Sequence, residues 1–268
     1  KSSRKNWEDQ YSKGLRMLGV IVEDRQDPFP GASGVHHPLL AEAATQFQAR
    51  AIAEMFPPGG PVKTQIIGKV TDKKLEQAQR VQDFMNFQVT QEIPDYFNEL
   101  DQMLFYLALA GSAFKKVYFD NTLDRICSKF VPAEDFVISM ENTDLETAER
   151  YTQIMKLTRN DIRKYQISGV YRDIPLTKSE AGGSGSNNDG DMVEQTIQRL
   201  EGMSPSMADK IHTILEVHTN LDLGEDKNEL ALPYIVTIDL DSQRVLSIRR
   251  NWKEEDSLRR KRTYFIHY

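Results

Sequence analysis

The apolar residues of the chain change their spacing once, near residue 111, and this change limits the folds available to it. Before that point they recur at helical spacing, as Trp7, Tyr11 and Leu15 do. After it, short alternating segments rich in β-branched and aromatic residues follow one another between turn-forming residues. Because the predicted helices come first and the predicted strands later, the pattern indicates an α+β fold and not a βαβ succession.

The same change predicts two parts: residues 1–114, mainly helical, and residues 115–268, β-rich with short helices. Helices are predicted over three segments, 4–22, 71–93 and 95–111, the last ended by Gly111, and in the stretch that follows Pro38. Thr158 is expected to cap a short helix over 159–166, and residues 232–252 predict a hairpin with its turn at 239–244. The alternation at 62–70 predicts a strand, and the Gly/Ser-rich segment 175–191 predicts a flexible loop. The chain begins without methionine and ends on an apolar alternation, so we expect it to be a fragment of a longer protein.

Composition excludes several classes of protein. The 268 residues are 39% hydrophobic and 28% charged, which is typical of a folded chain of this size. A net charge of −6 argues against a protein that simply coats nucleic acid. Cys127 is the only cysteine, so neither an intrachain disulfide nor a site built from several thiolates can form. We see no apolar run long enough to cross a membrane, and no signal peptide.

The segment 29–61, FPGASGVHHPLLAEAATQFQARAIAEMFPPGGP, predicts a helix between two Pro/Gly loops. One face of that helix is expected to be a structural packing stripe, formed by Leu40, Ala44, Phe47, Ala51 and Met55. The first loop carries Ser33 and two histidines, but it lacks the G-x-S-x-G order of a nucleophile elbow. A hydrolase that uses Ser33 is therefore kept only as a minor alternative. No phosphate-binding glycine motif is present either.

The histidines give no support for a metal centre. His36 and His37 are neighbours whose side chains point in opposite directions on an extended segment. His212 and His218 share one face of a predicted strand, but they lie about 20 Å apart at roughly 3.3 Å per residue. We therefore predict no metal, no cofactor and no catalytic residue, and we expect the protein not to be an enzyme.

Basic side chains are concentrated in the last quarter of the chain. They are candidate contacts to DNA or to a neighbouring subunit: Arg249, Arg250, Lys253, Arg259, Arg260, Lys261 and Arg262. Arg249 and Arg250 are adjacent on a predicted strand, so they must face opposite sides. A nucleic-acid-binding module that uses this basic quarter is the main alternative function.

Two blocks of sequence resemble the portal proteins of tailed bacteriophages, the head-to-tail connectors of the short-tailed type. The first is DPFPGASGVHHPLLAEAATQFQARAIAEMFPPGGPVKTQIIGK, with Trp7 and Tyr11 upstream of it. The second comprises ILEVHTNLDL, LPYIVTIDLDSQRVLSIRRNW and RRKRTYFIHY. Together they span most of the chain outside residues 175–210, and they are structural motifs without catalytic residues.

The resemblance implies a structural subunit of a ring, typically of twelve copies, at one vertex of a viral capsid. Double-stranded genomic DNA passes through such rings during packaging and ejection, and a separate terminase drives packaging. The implied partners are other copies of the chain, terminase, head-completion and tail adaptor proteins, scaffolding protein and the major capsid protein. The implied location is the virion, after assembly in the host cytoplasm and without a membrane. The chain resembles the wing portion of such a subunit, and its net negative charge suits a conduit that must not hold the moving DNA.

Overall fold

The computed structural model describes residues 4–18, 29–34, 37–120, 123–139, 142, 144–175, 211–224 and 230–268. The α+β prediction is confirmed: within these residues the chain forms five α-helices and two antiparallel sheets. The helices are α1 (Lys5–Met17), α2 (Leu39–Met55), α3 (Asp72–Phe87), α4 (Tyr96–Ala110) and α5 (Arg159–Ile167). The strands are β1 (Ala113–Asp120), β2 (Arg125–Pro132), β3 (Phe136–Ile138), β4 (Arg150–Thr158), β5 (Ile211–Leu221), β6 (Leu232–Asp239), β7 (Arg244–Arg250) and β8 (Phe265–His267). The loop predicted at 175–191 lies, apart from Pro175, outside the described residues.

The chain divides into two compact units, and the division differs from the predicted one. The helical unit contains residues 29–132 and Tyr264–Tyr268, whereas the sheet unit contains residues 4–16 and Ala133–Thr263. The predicted boundary between residues 114 and 115 falls inside β1, and the structure places it after Pro132 instead. The reason is that β1 and β2 pack on α4 and that β8 pairs with β1, so the first strands belong with the helices.

In the helical unit, α4 supplies most of a small core. Leu100, Met103 and Leu104 are buried together with Ala113, at the start of β1. Ala51, Ile52 and Phe56 from α2 and its end pack against this cluster. Gly111 ends α4 with a φ of 72°, a left-handed conformation that glycine adopts without a Cβ clash. The sheet of this unit has the order β2-β1-β8, all antiparallel.

In the sheet unit, five strands follow one another in the order β3-β4-β5-β6-β7. Alternate residues of β5 are buried, which is the period-two pattern of a strand with one covered face. Ile214 and Leu246 lie on that face beneath Ile162 of α5 and Tyr171. Thr158 caps α5 as predicted, because its hydroxyl oxygen accepts a hydrogen bond from the backbone N–H of Asp161 at 3.2 Å. These strands fix the positions of the polar groups described below.

One strand prediction is wrong. Residues 62–70, all of which the structure describes, form no strand. Their backbone finds side-chain partners on α3 instead of a neighbouring strand: the Val62 N–H donates to Asn86 Oδ1 at 2.9 Å, and the Thr64 N–H donates to Gln82 Oε1 at 3.2 Å. The helix predicted over 71–93 forms as α3 followed by one π-helical turn, Gln88–Glu92, and stops before Pro94.

Among the residues that the structure describes, every helix is too short or too polar to cross a lipid bilayer.

Candidate functional site

The side of α3 that contacts the rest of the chain is polar. Ala78, Gln82 and Asn86 follow one another at four-residue steps and therefore lie on one side of the helix. Besides the two bonds from Val62 and Thr64 given above, Asn86 Nδ2 donates to the Val62 carbonyl at 3.1 Å, and the Thr64 hydroxyl donates to the Ala78 carbonyl at 3.1 Å. Hydrogen bonds, not apolar contacts, therefore attach segment 62–64 to α3.

Three apolar side chains on the opposite side of α3 face solvent, beside the polar Gln77 and Arg80. Val81, Phe84 and Phe87 follow one another at three-residue steps, on the far side of the helix from Gln82 and Asn86. Their side chains are 50%, 58% and 52% exposed. No side chain is buried in α3, whose sixteen residues are all among those described. We call Val81, Phe84 and Phe87 the apolar side of α3.

The packing stripe predicted on α2 is only partly used inside the chain. Ala44 is buried, and Leu40 and Ala51 are half-buried. Phe47 and Met55, in contrast, are exposed in the single chain, so the packing role predicted for these two residues stays a prediction. The residues of α2 that contact the α4 core are Ala51, a member of the predicted stripe, and its neighbour Ile52. Exposed aromatic and apolar side chains thus occur on α2 as well as on α3.

Lys115 on β1 is buried in the helical unit and is 2% exposed. Its ammonium nitrogen lies 3.8 Å from the centre of the Tyr96 ring, a cation–π contact. Burial lowers the pKa of Lys115 to about 8, and the negative charge of Glu99 opposes the shift. Glu99 is itself held by Lys129, whose Nζ lies 2.8 Å from Glu99 Oε1. The ammonium group of Lys115 is therefore internal and is not available to bind a ligand.

The basic residues of the last quarter do not form one surface. Arg249 lies 3.7 Å from the buried Glu216, while Arg250 lies over the Trp252 ring, and this arrangement is consistent with the predicted opposite orientation of the two. Arg260 pairs with Asp256 at 3.1 Å. The backbone N–H groups of Arg259 and Arg262 are bonded locally, to Asp256 and Asn251, and Lys253 is exposed.

The prediction that Lys261 is a contact to DNA or to a neighbouring subunit is corrected. Its ammonium donates hydrogen bonds to the carbonyls of Leu145 and Ala148, at 3.1 and 3.0 Å. It also lies 5.2 Å from the Tyr151 ring. Burial lowers the pKa of Lys261 despite the opposing charges of Asp144 and Glu146. The side chain therefore anchors segment 145–148 within the sheet unit.

A cluster of three possible metal ligands lies at the β6–β7 turn. His212 Nδ1 is 3.5 Å from Asp239 Oδ1 and 3.9 Å from Asp241 Oδ2. His212 and Asp239 are buried, and Asp241 is half-buried. The other oxygen of Asp239 accepts hydrogen bonds from the backbone N–H and the hydroxyl of Ser242, so the turn itself orients the carboxylate.

Sequence reasoning predicted the β6–β7 hairpin but missed this cluster. Strands β5 and β6 pair antiparallel with Ile214 opposite Asp239. His212 therefore extends past the end of β6 and reaches the turn that carries Asp241. In the sequence, the only histidine on the strand face of His212 is His218, and Asp239 and Asp241 belong to the predicted turn 239–244. Alignment of the β5 and β6 alternations would have brought the three together.

Ser33 is exposed in the irregular segment before α2. His36 lies outside the described residues, so the hydrolase alternative stays a prediction.

No protein-family model matches the chain, and no curated protein matches it.

Proposed function

We propose that the chain is a structural subunit of a viral portal ring, in which copies of the chain meet through the helical unit. The observation that carries the proposal is the apolar side of α3. An exposed row of Val81, Phe84 and Phe87 is costly in water, and such patches mark surfaces that another molecule covers. Since the far side of α3 is held by polar bonds, these apolar residues are not required to attach the helix to its own chain.

A ring places a specific demand on its subunit. Each copy meets two neighbours through two different surfaces, because a head-to-tail interface is not self-complementary. The helical unit offers candidates for both surfaces: the apolar side of α3, and the exposed residues Phe47 and Met55 on α2. The first block of sequence that resembles portal proteins contains α2, and its last segment, 62–69, is hydrogen-bonded to α3.

The wider role follows from that resemblance. The ring would sit at the portal vertex of the virion and serve as the conduit for double-stranded DNA. It would dock terminase, tail adaptors, scaffolding protein and the major capsid protein. The nucleic-acid-binding alternative gains no support from the basic quarter, because Lys261 is bonded internally and Arg260 is paired.

Negative-stain imaging of the protein at its native length tests the proposal. Rings with a central hole, of uniform copy number, are the expected result. Particles of monomer size at micromolar concentration would contradict it. A filter-binding titration with duplex DNA at physiological salt separates the alternative, since a conduit subunit is expected to bind weakly and a nucleic-acid-binding module tightly.

A further inference from the structure

We propose that His212, Asp239 and Asp241 form a binding site for a divalent first-row transition metal ion of the Zn²⁺ type. The site lies in the sheet unit and is independent of the ring proposed above. Its donors are one imidazole nitrogen and two carboxylate oxygens, which together suit Zn²⁺ better than Mg²⁺ or Ca²⁺, ions that prefer oxygen donors alone.

The spacing of the donor atoms fits a metal polyhedron. Zn²⁺ binds nitrogen and oxygen at about 2.1 Å, so two tetrahedral ligands lie about 3.4 Å apart. The His212 to Asp239 distance is 3.5 Å, and the His212 to Asp241 distance is 3.9 Å. All three donors lie within 4.8 Å of one another. Asp241 is half-buried at the turn, so its side chain has room to adjust toward an ion.

A second observation points to a ligand between these groups. Asp239 is 0% exposed, and among the described residues no hydrogen-bond donor reaches its Oδ1. His212 Nδ1 faces that oxygen, and within the same part of the chain it also lacks a hydrogen-bond partner. A buried carboxylate oxygen without a donor is unfavourable unless a cation compensates it. A metal ion would satisfy both atoms at once.

The bound ion would hold three elements together. His212 is the second residue of β5, Asp239 ends β6, and Asp241 lies in the turn before β7. Three protein ligands leave the fourth position of a tetrahedral site open to water or to a further ligand. Metal binding is therefore expected to tie the β6–β7 turn to the start of β5.

Asp241→Asn is the informative variant. Asp241 is the most exposed of the three ligands, and asparagine keeps an acceptor for the Thr213 backbone N–H that contacts Asp241 Oδ2 at 3.4 Å. Asp222→Asn is the matched control, because Asp222 is an exposed loop aspartate of the same unit that likewise accepts a backbone N–H. The full chain is stripped with chelator, dialysed, and titrated with ZnCl₂ by calorimetry, with MgCl₂ and CaCl₂ as comparisons.

The expected result is one Zn²⁺ bound per chain, with affinity reduced at least tenfold in Asp241→Asn and unchanged in Asp222→Asn. Zn²⁺ should also raise the melting temperature of the wild-type chain more than that of Asp241→Asn. Zn²⁺ binding that Asp241→Asn leaves intact would mean adventitious surface binding and would overturn the proposal. Absence of Zn²⁺ binding would also overturn the proposal. Binding of Mg²⁺ or Ca²⁺ instead, dependent on Asp241, would overturn the assignment to a transition metal.

Discussion

The two units of the chain differ in the polar side chains that they bury and in the arrangement of their exposed apolar side chains. In the sheet unit, the covered face of the sheet buries polar side chains beside its apolar core: His212, Glu216, His218, Thr237, Asp239 and Ser247. In the helical unit, α3 and α2 leave aromatic and aliphatic side chains in solvent. The sheet unit thus supplies its polar groups with internal partners or, at His212 and Asp239, with a candidate ion site.

Because of this difference, substitutions in the two regions should affect different properties: the folding stability of the single chain, or the assembly of several copies. A residue in the sheet unit is expected to affect folding of the single chain, because its contacts are already made within the chain. A residue on the apolar side of α3 makes few contacts within the chain, so its effect should appear only when copies meet. The following substitutions test this separation, beginning with the largest expected effect.

Ile214→Ala should destabilise the chain by about 3 kcal/mol. Ile214 is 0% exposed beneath α5, so truncation removes buried methylene groups and leaves a cavity. Phe84→Ala, on the apolar side of α3, removes a larger side chain but should change the unfolding free energy by less than about 0.5 kcal/mol. Urea unfolding of monomeric samples measures both. Equal losses in the two variants would remove the distinction between the units.

Glu134 should make stability fall as the pH rises through neutrality. Burial raises the pKa of this carboxyl from 4.5 to about 7, so between these values the folded chain holds a proton that the unfolded chain has lost. The stability contribution is therefore complete below pH 4.5 and is lost as the pH approaches and passes 7, by about 3 kcal/mol at most.

Glu134→Gln should remove that loss, so that the variant is more stable than wild type at pH 8 and similar to it at pH 5. Glu76→Gln, on exposed α3, is the control for the removal of one carboxylate. Chemical unfolding at the two pH values gives the comparison. A Glu134→Gln variant with the same pH dependence as wild type would show that this carboxyl does not titrate differently on folding.

Thr158→Ala should cost about 1 kcal/mol, because the Thr158 hydroxyl caps α5 by accepting the Asp161 N–H. Thr71 stands at the equivalent position before α3, but its side chain makes no capping hydrogen bond. Thr71→Ala is therefore expected to cost less than about 0.3 kcal/mol. Thermal unfolding of the two variants checks the difference, and a loss for Thr71→Ala as large as that for Thr158→Ala would contradict the conclusion that only Thr158 of the two caps its helix.

The sequence predicted features that depend on neighbouring residues, such as caps, helix ends and hairpins. It did not predict contacts between residues that are distant in the chain. Thr158 as a cap, Gly111 as a helix end and the β6–β7 hairpin are local signals, and all three are found in the structure. The strand predicted at residues 62–70 does not form, because the side chains of Gln82 and Asn86, distant in sequence, accept hydrogen bonds from the backbone there in place of a neighbouring strand.

Strand pairing between segments that are distant in sequence could not be predicted either. Strand β8 returns from the end of the chain to pair with β1, where the Tyr268 N–H donates to the Ala113 carbonyl at 2.9 Å. That contact moves the boundary between the units away from the change in periodicity. The cluster of His212 with Asp239 and Asp241 depends in the same way on the β5–β6 register, which no single segment encodes.

The central claim is that the apolar side of α3 is an interface between copies of the chain. Light scattering coupled to size exclusion, on the native-length protein at micromolar concentration, tests it most directly with Phe84→Glu and Ile167→Glu. Ile167 is an exposed apolar residue at the end of α5 in the sheet unit, and it receives the same substitution as the matched control. The account predicts a ring-sized mass for wild type and for Ile167→Glu, and monomers with unchanged circular dichroism for Phe84→Glu. A wild-type monomer, or a Phe84→Glu variant that assembles as wild type does, would contradict it.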